Sequence, residues 1–316
     1  MIASGRTIDA TGTTSATTVN VQSPSGRPLL ISEISTDGDV RTISAAKVAL
    51  TGNVTIGGSV GSSVMLDTLN SGTFTVNGSS GAFSLVLSTS SAENIASSEA
   101  ISSLQATSLT GSPTINVPSI GRVNITGQIA ANITAGTLGP LTAGIIGSST
   151  WTISGAVGNI TTGGINGLNL TGATIGRITS RQAINGSTVI SAADITAIAA
   201  AVFSGSKFEA ASPTFGSNGI PTAFGSAGTI TSVVVGRGGF SNSVIAAPTL
   251  GNLALGATPS SNGGTPFGVA AHTIAVLTAR IDGKLLSLRN VMSEAQVTVA
   301  ESKAGITAND LFIQIV

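Results

Sequence analysis

Along residues 120 to 198, aliphatic and small polar residues alternate in short runs that stop at a turn-forming residue and begin again. The runs read IGRVNITGQ, IAANITAGT, LGPLTAGI, IGSSTWTISGA, VGNITTGG, INGLNLTGAT, IGRITSRQA and INGSTVISAAD, each eight to eleven residues long. A period of two marks a strand with one face buried, and the closing Gly, Ala or polar residue marks a corner. Val, Ile and Thr suit a pleated surface, and Gly supplies the positive φ of sharp corners. Two runs make about nineteen residues, the length of one coil of a solenoid. The pattern predicts an all-β, single-stranded, right-handed parallel β-helix (β-solenoid) with capped ends. Its inward columns are aliphatic, and Ile160, Leu168, Leu170, Ile175 and Ile178 are an inward set.

An up-and-down barrel or sandwich is the competing all-β reading, because strands at this spacing also describe those folds. Asn-Gly pairs, the strongest hairpin signal, stand at Asn77, Asn166, Asn185, Asn218 and Asn262, not at each run boundary. Self-similar runs favour stacking over meandering.

The same pattern continues upstream in "VALTGNVTIGGSVG" from 48 and "GTFTVNGSSGAFSLVLS" from 72. Residues 92–109 place Ile95, Ile101, Leu104 and Leu109 at uneven spacing, so a short helix stays open; the expectation is a coil with a lateral excursion. Downstream, "ITAIAAAVFSGSKFEAAS" from 195 aligns with "ITSVVVGRGGFSNSVIAAP" from 230. Ile195 matches Ile230, Ile198 matches Val233, Phe203-Ser204 matches Phe240-Ser241, and Ala210-Ala211 matches Ala246-Ala247. A loop rich in Pro, Gly, Ser, Asn and Phe follows each copy, at 213–228 and 257–271, and both loops are expected to leave the stack at one lateral edge. Charge then concentrates after residue 273, while "QVTVAES" and "LFIQIV" alternate as strands. The expected organisation is an N-terminal strand or cap region (1–41), regular coils (42–194), coils with lateral loops (195–272) and a charged C-terminal coil or cap (273–316).

Composition narrows the function. The chain has 316 residues, 13 basic and 13 acidic side chains, 41% apolar residues, one Trp and no Tyr or Cys. That apolar content fills a core from short aliphatic side chains. Scarce charge removes the basic patch a nucleic acid requires and permits contact between copies. The absence of Cys excludes disulfides and thiolate metal sites. The start, MIASGRTIDATGTT, lacks the apolar core of a signal peptide, and no apolar run approaches the length of a membrane span.

The phrases "IGRVNITG", "GNITTGG", "VVVGRGGFSNSVIAA" and "GVAAHTIAVLTARIDGKLLSL" resemble the Gly-rich β-helical repeat modules of large bacterial surface and secreted proteins, of the adhesin or autotransporter-passenger kind. The resemblance spans residues 42 to 316 and is strongest from 120 to 290. It implies an exported, non-catalytic stalk, adhesin-like passenger or envelope component, and carries over no functional residue. The run "ITSRQA" at 178 lacks the double Gly of such repeats.

No constellation for catalysis emerges. His272 is the only histidine and reads as a loop-end residue rather than a zinc ligand or general base. Solenoid glycosidases and lyases need paired carboxylates or a calcium site, and Asp194 and Glu209 are the only acids between 110 and 270. Asp37 and Asp39 in "TDGDV" read as a charged turn rather than a calcium loop, and Gly236, Gly238 and Gly239 as a coil corner rather than a phosphate loop. Asn53, Asn124, Asn132, Asn159 and Asn169 open Asn-x-Thr triplets, read as turn residues and ladders between coils rather than glycan acceptors. Thr73/Thr75 and Thr150/Thr152 resemble the flat Thr arrays of ice-binding solenoids, but the runs do not repeat Thr-x-Thr on every coil.

The sequence therefore reads as a non-catalytic structural or adhesive module of a bacterial cell-surface or extracellular protein, with no catalytic, cofactor-binding or metal residues. Self-association into rods or fibres, or contact with neighbouring envelope proteins, is expected; a glycan or protein ligand would use the 213–228 and 257–271 loops. Neither nucleic acid nor a membrane span is expected. The alternative is a polysaccharide-binding or carbohydrate-active β-helix protein.

Overall fold

A computed structural model describes residues 6–22, 29–91 and 94–316. The chain divides into two compact units, Met1–Gly155 and Ala156–Val316. Each is built from parallel strands stacked coil upon coil, and together they hold about 13 turns of β-solenoid. Among the described residues the one α-helix, α1, is Glu294–Ala304.

In the first unit, up to Thr110, a short strand forms the first face of each coil and longer strands bend across the remaining faces; from Thr114 on the strands are of similar length. Thr73–Val76 is a first-face strand, followed by the longer Ala82–Ser91. Inward residues stack in register: Ile34, Val54, Phe74, Ile95, Ile115, Ile133 and Trp151 form one column. Ile43, Val64, Leu85, Leu104, Val123 and Leu141 form another. Steps within these columns run from 18 residues (Ile115 to Ile133) to 21 (Phe74 to Ile95). A parallel ladder sets this economy, because each residue meets its own kind about 4.8 Å away and short aliphatic side chains fill the narrow interior. Trp151, at 0% exposure, is the largest side chain in the core, and its indole N–H donates to the Ala131 carbonyl at 2.9 Å. Corners bring backbones close: a Cβ on Gly139 would overlap the carbonyl oxygen of Gly121 on the preceding coil.

The second unit repeats the scheme. Leu170, Val189, Phe208, Ile245, Val269 and Ile313 form its first-face column. Ile160, Ile178, Ile198, Val233, Leu253 and Leu277 form another. The inward set read from the sequence is buried throughout: Ile160, Leu168, Leu170, Ile175 and Ile178 are all at most 1% exposed.

The step from Phe208 to Ile245 is lengthened by an inserted hairpin, Pro213–Phe215 and Pro221–Phe224, which pairs only with itself. The 195/230 alignment holds at Ile195–Ile230, Ile198–Val233, Phe203–Phe240 and Ser204–Ser241. It slips by one residue further on, where Glu209, not Ala210, stands opposite Ala246. The offset, set by a register shift between Ala200 and Val202, stays constant from Phe203–Phe240 through Glu209–Ala246, and four alanines cannot fix it from sequence.

Three local expectations are corrected. Within 92–109, of which 92 and 93 lie outside the described residues, there is neither helix nor lateral excursion: Asn94–Ser97 and Ala100–Thr110 are ordinary coil strands. The uneven spacing of Ile95, Ile101, Leu104 and Leu109 arises because they occupy different faces, separated by corners. "QVTVAES" lies in α1, not in a strand. Gln296 Oε1 accepts the backbone N–H groups of Met292 (2.7 Å) and Ser293 (3.2 Å), and Gly305, at φ 64°, ends the helix. These end signals outweigh the alternation of Val297 and Val299. Finally, Lys284–Val291 runs antiparallel to Thr273–Ile281 through a tight turn at Asp282 (φ 47°) and Gly283 (φ 82°). Asp-Gly at positive φ is the type I′ hairpin signal. The reversal interrupts the parallel stacking, α1 follows, and Leu311–Ile315 returns parallel to Phe267–Ala271.

At the other end, Thr7–Ala10 pairs in parallel with Glu33–Thr36, and Thr18–Asn20 and Leu29–Ile31 with Val40–Leu50. Residues 1–5 and 23–28 of the 1–41 segment lie outside the described residues.

Candidate functional surfaces

With inward positions occupied by apolar side chains, mostly aliphatic, outward positions carry whatever the surface does. On the first face of the first unit, past the Thr7–Ala10 and Glu33–Thr36 strands that carry Asp9 and Glu33, these are Asn53 and Thr55, Thr73 and Thr75, Asn94 and Ala96, Thr114 and Asn116, Asn132 and Thr134, and Thr150 and Thr152. None is charged and all are exposed or half-exposed. The face therefore presents short hydroxyls and amides at the coil repeat.

Where this face ends, Thr75, Asn77, Ala96, Ser97, Ser98, Asn116 and Pro118 from three successive coils line a shallow groove of about 390 Å³. Beyond it, Glu99 is buried at 1% exposure. Its Oε2 accepts the Val60 N–H at 3.0 Å, two coils away, and its Oε1 has no partner among the described residues. Nothing in the sequence pattern marks Glu99 as buried.

The Asn-x-Thr triplets separate into two kinds. Asn53 accepts the Thr73 N–H (2.9 Å), Asn132 that of Thr150 (2.8 Å) and Asn159 that of Arg177 (2.9 Å), each tying one coil to the next. Asn124 and Asn169 instead stand outward in strands. A side-chain ladder joins Asn166 to Asn185 at 3.1 Å.

The acids of "TDGDV" serve different neighbours. Asp37 accepts the N–H groups of Gly12 (2.7 Å) and Thr13 (3.0 Å). Those bonds hold its carboxyl below the usual aspartate range. Asp39 accepts the Ser59 N–H at 2.8 Å on the following coil. Among the described residues no group of three or more His, Cys, Asp or Glu is placed to hold a metal ion. Gly236, Gly238 and Gly239 lie within the Thr229–Ser241 strand. Gly239 has φ 92°, and a Cβ there would meet the Ala257 carbonyl.

The two loops do not share the one lateral edge expected of them: the hairpin follows the first-face strand Lys207–Ala210, whereas the other is confined to 259–266 and precedes the buried first-face strand Phe267–Ala271. Both are anchored. His272 stands edge-on to Phe224 with ring centroids 5.1 Å apart, and Lys207 Nζ lies 4.9 Å from the Phe215 ring centroid. The inserted hairpin thus packs from Lys207 to His272, across the coils of Phe208, Ile245 and Val269. The other loop is held by Asp310, which accepts the N–H groups of Asn262 (2.5 Å) and Gly264 (3.0 Å) and the Ser261 hydroxyl (3.1 Å). Those donors lower its pKa. Asp194 and Glu209 are not paired: Asp194 accepts the Thr229 N–H at 2.8 Å, while Glu209 lies 7% exposed on the Lys207–Ala210 strand.

No helix among the described residues is long and apolar enough to cross a membrane. Comparison with protein-family models, curated proteins and solved structures finds no match to this chain.

Proposed function

We propose that this chain is a non-catalytic structural module of a bacterial cell-surface or extracellular protein, in which the coils hold a shape and association is made at the cap. The observation that carries this reading is the distribution of exposed apolar side chains. Leu285 (59%), Met292 (68%) and Val299 (52%) are the most exposed large apolar residues described, and all lie on or beside the C-terminal hairpin strand and α1. Isolated exposed apolar residues are ordinary; three on one capping segment, in a chain with zero net charge, favour contact with another protein surface. Light scattering on the purified chain tests it. Self-association that Leu285→Lys and Met292→Lys abolish without changing the circular dichroism supports the reading, and a monomer at all concentrations counts against it.

A second reading, binding of a neutral polysaccharide, is favoured by the groove at Thr75, Asn77, Ser98 and Asn116, which lies beside the uncharged first face. The pre-anchored hairpin within 213–228 and the loop at 259–266 would add rigid recognition elements at low ordering cost. A glycan array with wild-type protein and an Asn77→Lys/Asn116→Lys variant separates the two readings.

A further inference from the structure

Glu209 is buried in an unusual way. The Lys207–Ala210 strand alternates, with Phe208 turned inward at 0% exposure, so Glu209 and Lys207 point outward. Outward residues on the first face of the first unit are exposed or half-exposed, whereas Glu209 is only 7% exposed. Ala246 and Ala270, in register with it on the next two coils, are 0% exposed. Something covers this strip, and the inserted hairpin is in position to do so. Its Phe215 lies against Lys207 Nζ, two residues from Glu209 on the same outward side, and its Phe224 lies against His272, just past Ala270 and Ala271.

The cover is built to be separable. The hairpin forms its own two-stranded sheet with no ladder to the coils, and such a hairpin alone is marginal in water. It leaves the stack through Ala211 (φ 62°) and Ser212 (φ 48°), two successive non-glycine residues in the left-handed region, a conformation that stores strain. Residues 211–228 contain no charged side chain. Neither the Thr188–Ser191 strand nor Val244–Ala246 nor Phe267–Ala271 adds one. The charged or titratable groups around Glu209 are thus Lys207 on its own strand, whose ammonium is engaged with Phe215, and His272 beyond the far end of the strip. Asp194, at the neighbouring corner, is bonded to Thr229.

We propose that the 213–224 hairpin is a proton-sensitive strap, closed over the neutral Glu209 carboxyl and loosened by its carboxylate. Closure strips most of the water from the carboxylate, and among the described residues no hydrogen bond from the hairpin replaces it. Burial accordingly pushes Glu209 above the ordinary glutamate range, with Lys207 pulling weakly the other way. A raised pKa in the closed state means that closure binds a proton. Its contribution is fully present below the ordinary value of 4.5 and is lost as pH rises through the raised value. Opening would bare a strip of Glu209, Ala246 and Ala270.

Hydrogen exchange of the full chain, corrected for intrinsic rates, tests this at residues 213–224, with Thr273–Ile281 as internal reference. Protection of the wild-type hairpin is expected to fall several-fold between about pH 4 and about pH 8, with each unit of pKa difference worth roughly tenfold. Glu209→Gln should flatten the profile at the protected level, and Lys207→Met should steepen it. The same pH profile in wild type and Glu209→Gln overturns the proposal, as does loss of hairpin protection at every pH in Glu209→Gln.

Discussion

Asp310 accepts the backbone N–H of Gly264 at 3.0 Å across 46 residues of sequence. With its bonds to Asn262 and Ser261 it fixes the loop before Phe267 onto the strand that returns after α1. The donors favour the carboxylate and lower its pKa, so the anchor is present above the ordinary aspartate value of 3.8 and is lost as pH falls through the lowered one. Because the group is exposed, the effect is local. Asp310→Asn is expected to free residues 261–265, seen as lost amide protection, with the melting temperature almost unchanged.

Trp151 shows what the core asks of its largest side chain. Trp151→Ala should cost about 3–5 kcal/mol, because a coil interior closed by parallel ladders on every side cannot collapse into the space. Trp151→Phe keeps most of the volume but leaves the Ala131 carbonyl unpaired, for roughly 1–3 kcal/mol. Urea unfolding followed by circular dichroism distinguishes the two. Equal costs would show that the lost volume contributes nothing beyond the hydrogen bond, which both variants remove.

Two glycines at positive φ should respond differently. Gly268 has φ 150°, and a Cβ there would overlap the Phe312 carbonyl on the last coil strand, whereas Gly283 has φ 82° with open space around it. Gly268→Ala is expected to destabilise by more than about 3 kcal/mol, strain and overlap combined. Gly283→Asn should be near neutral, since Asn accepts the left-handed turn conformation. Thermal denaturation of both variants checks this.

The asparagines provide a matched pair. Asn132→Ala removes an acceptor from the Thr150 N–H and should cost about 1 kcal/mol. Asn124→Ala, at an exposed strand position, should fall within about 0.5 kcal/mol of wild type. A similar loss at both would mean that Asn acts here through strand preference, not through bonds between coils.

The solenoid was legible because its driving term is local and repeated. Ile160, Leu168 and Ile175 declare inward positions before any long-range pairing is known. What the sequence hid were features decided by single residues or by register. The Asp282-Gly283 turn carried a readable hairpin signal, but its neighbours "TIAVLTARI" and "KLLSLRN" read equally well as further coils. Helix α1 depends on Gln296 reaching back to Ser293, a weak cue beside two β-branched valines. The burial of Glu209 was hidden by an Ala-rich alignment that could not fix which residue faces Ala246 and by a hairpin folding over it, and neither leaves a mark in hydrophobic periodicity. Glu99 is legible only once the coils on either side are in register.

The central claim is that neighbours on one face are one coil apart, not one hairpin apart. The chain lacks cysteine, so paired cysteines can be introduced without background. Asn116 and Thr134 are register partners on adjacent first-face strands, while Thr126 lies on the intervening Val123–Ile129 strand. A short bifunctional thiol reagent should bridge Asn116→Cys/Thr134→Cys within one chain and leave Asn116→Cys/Thr126→Cys unbridged. Efficient bridging of the 116/126 pair with none at 116/134 would mean that consecutive runs meander as hairpins, and the parallel solenoid would be wrong.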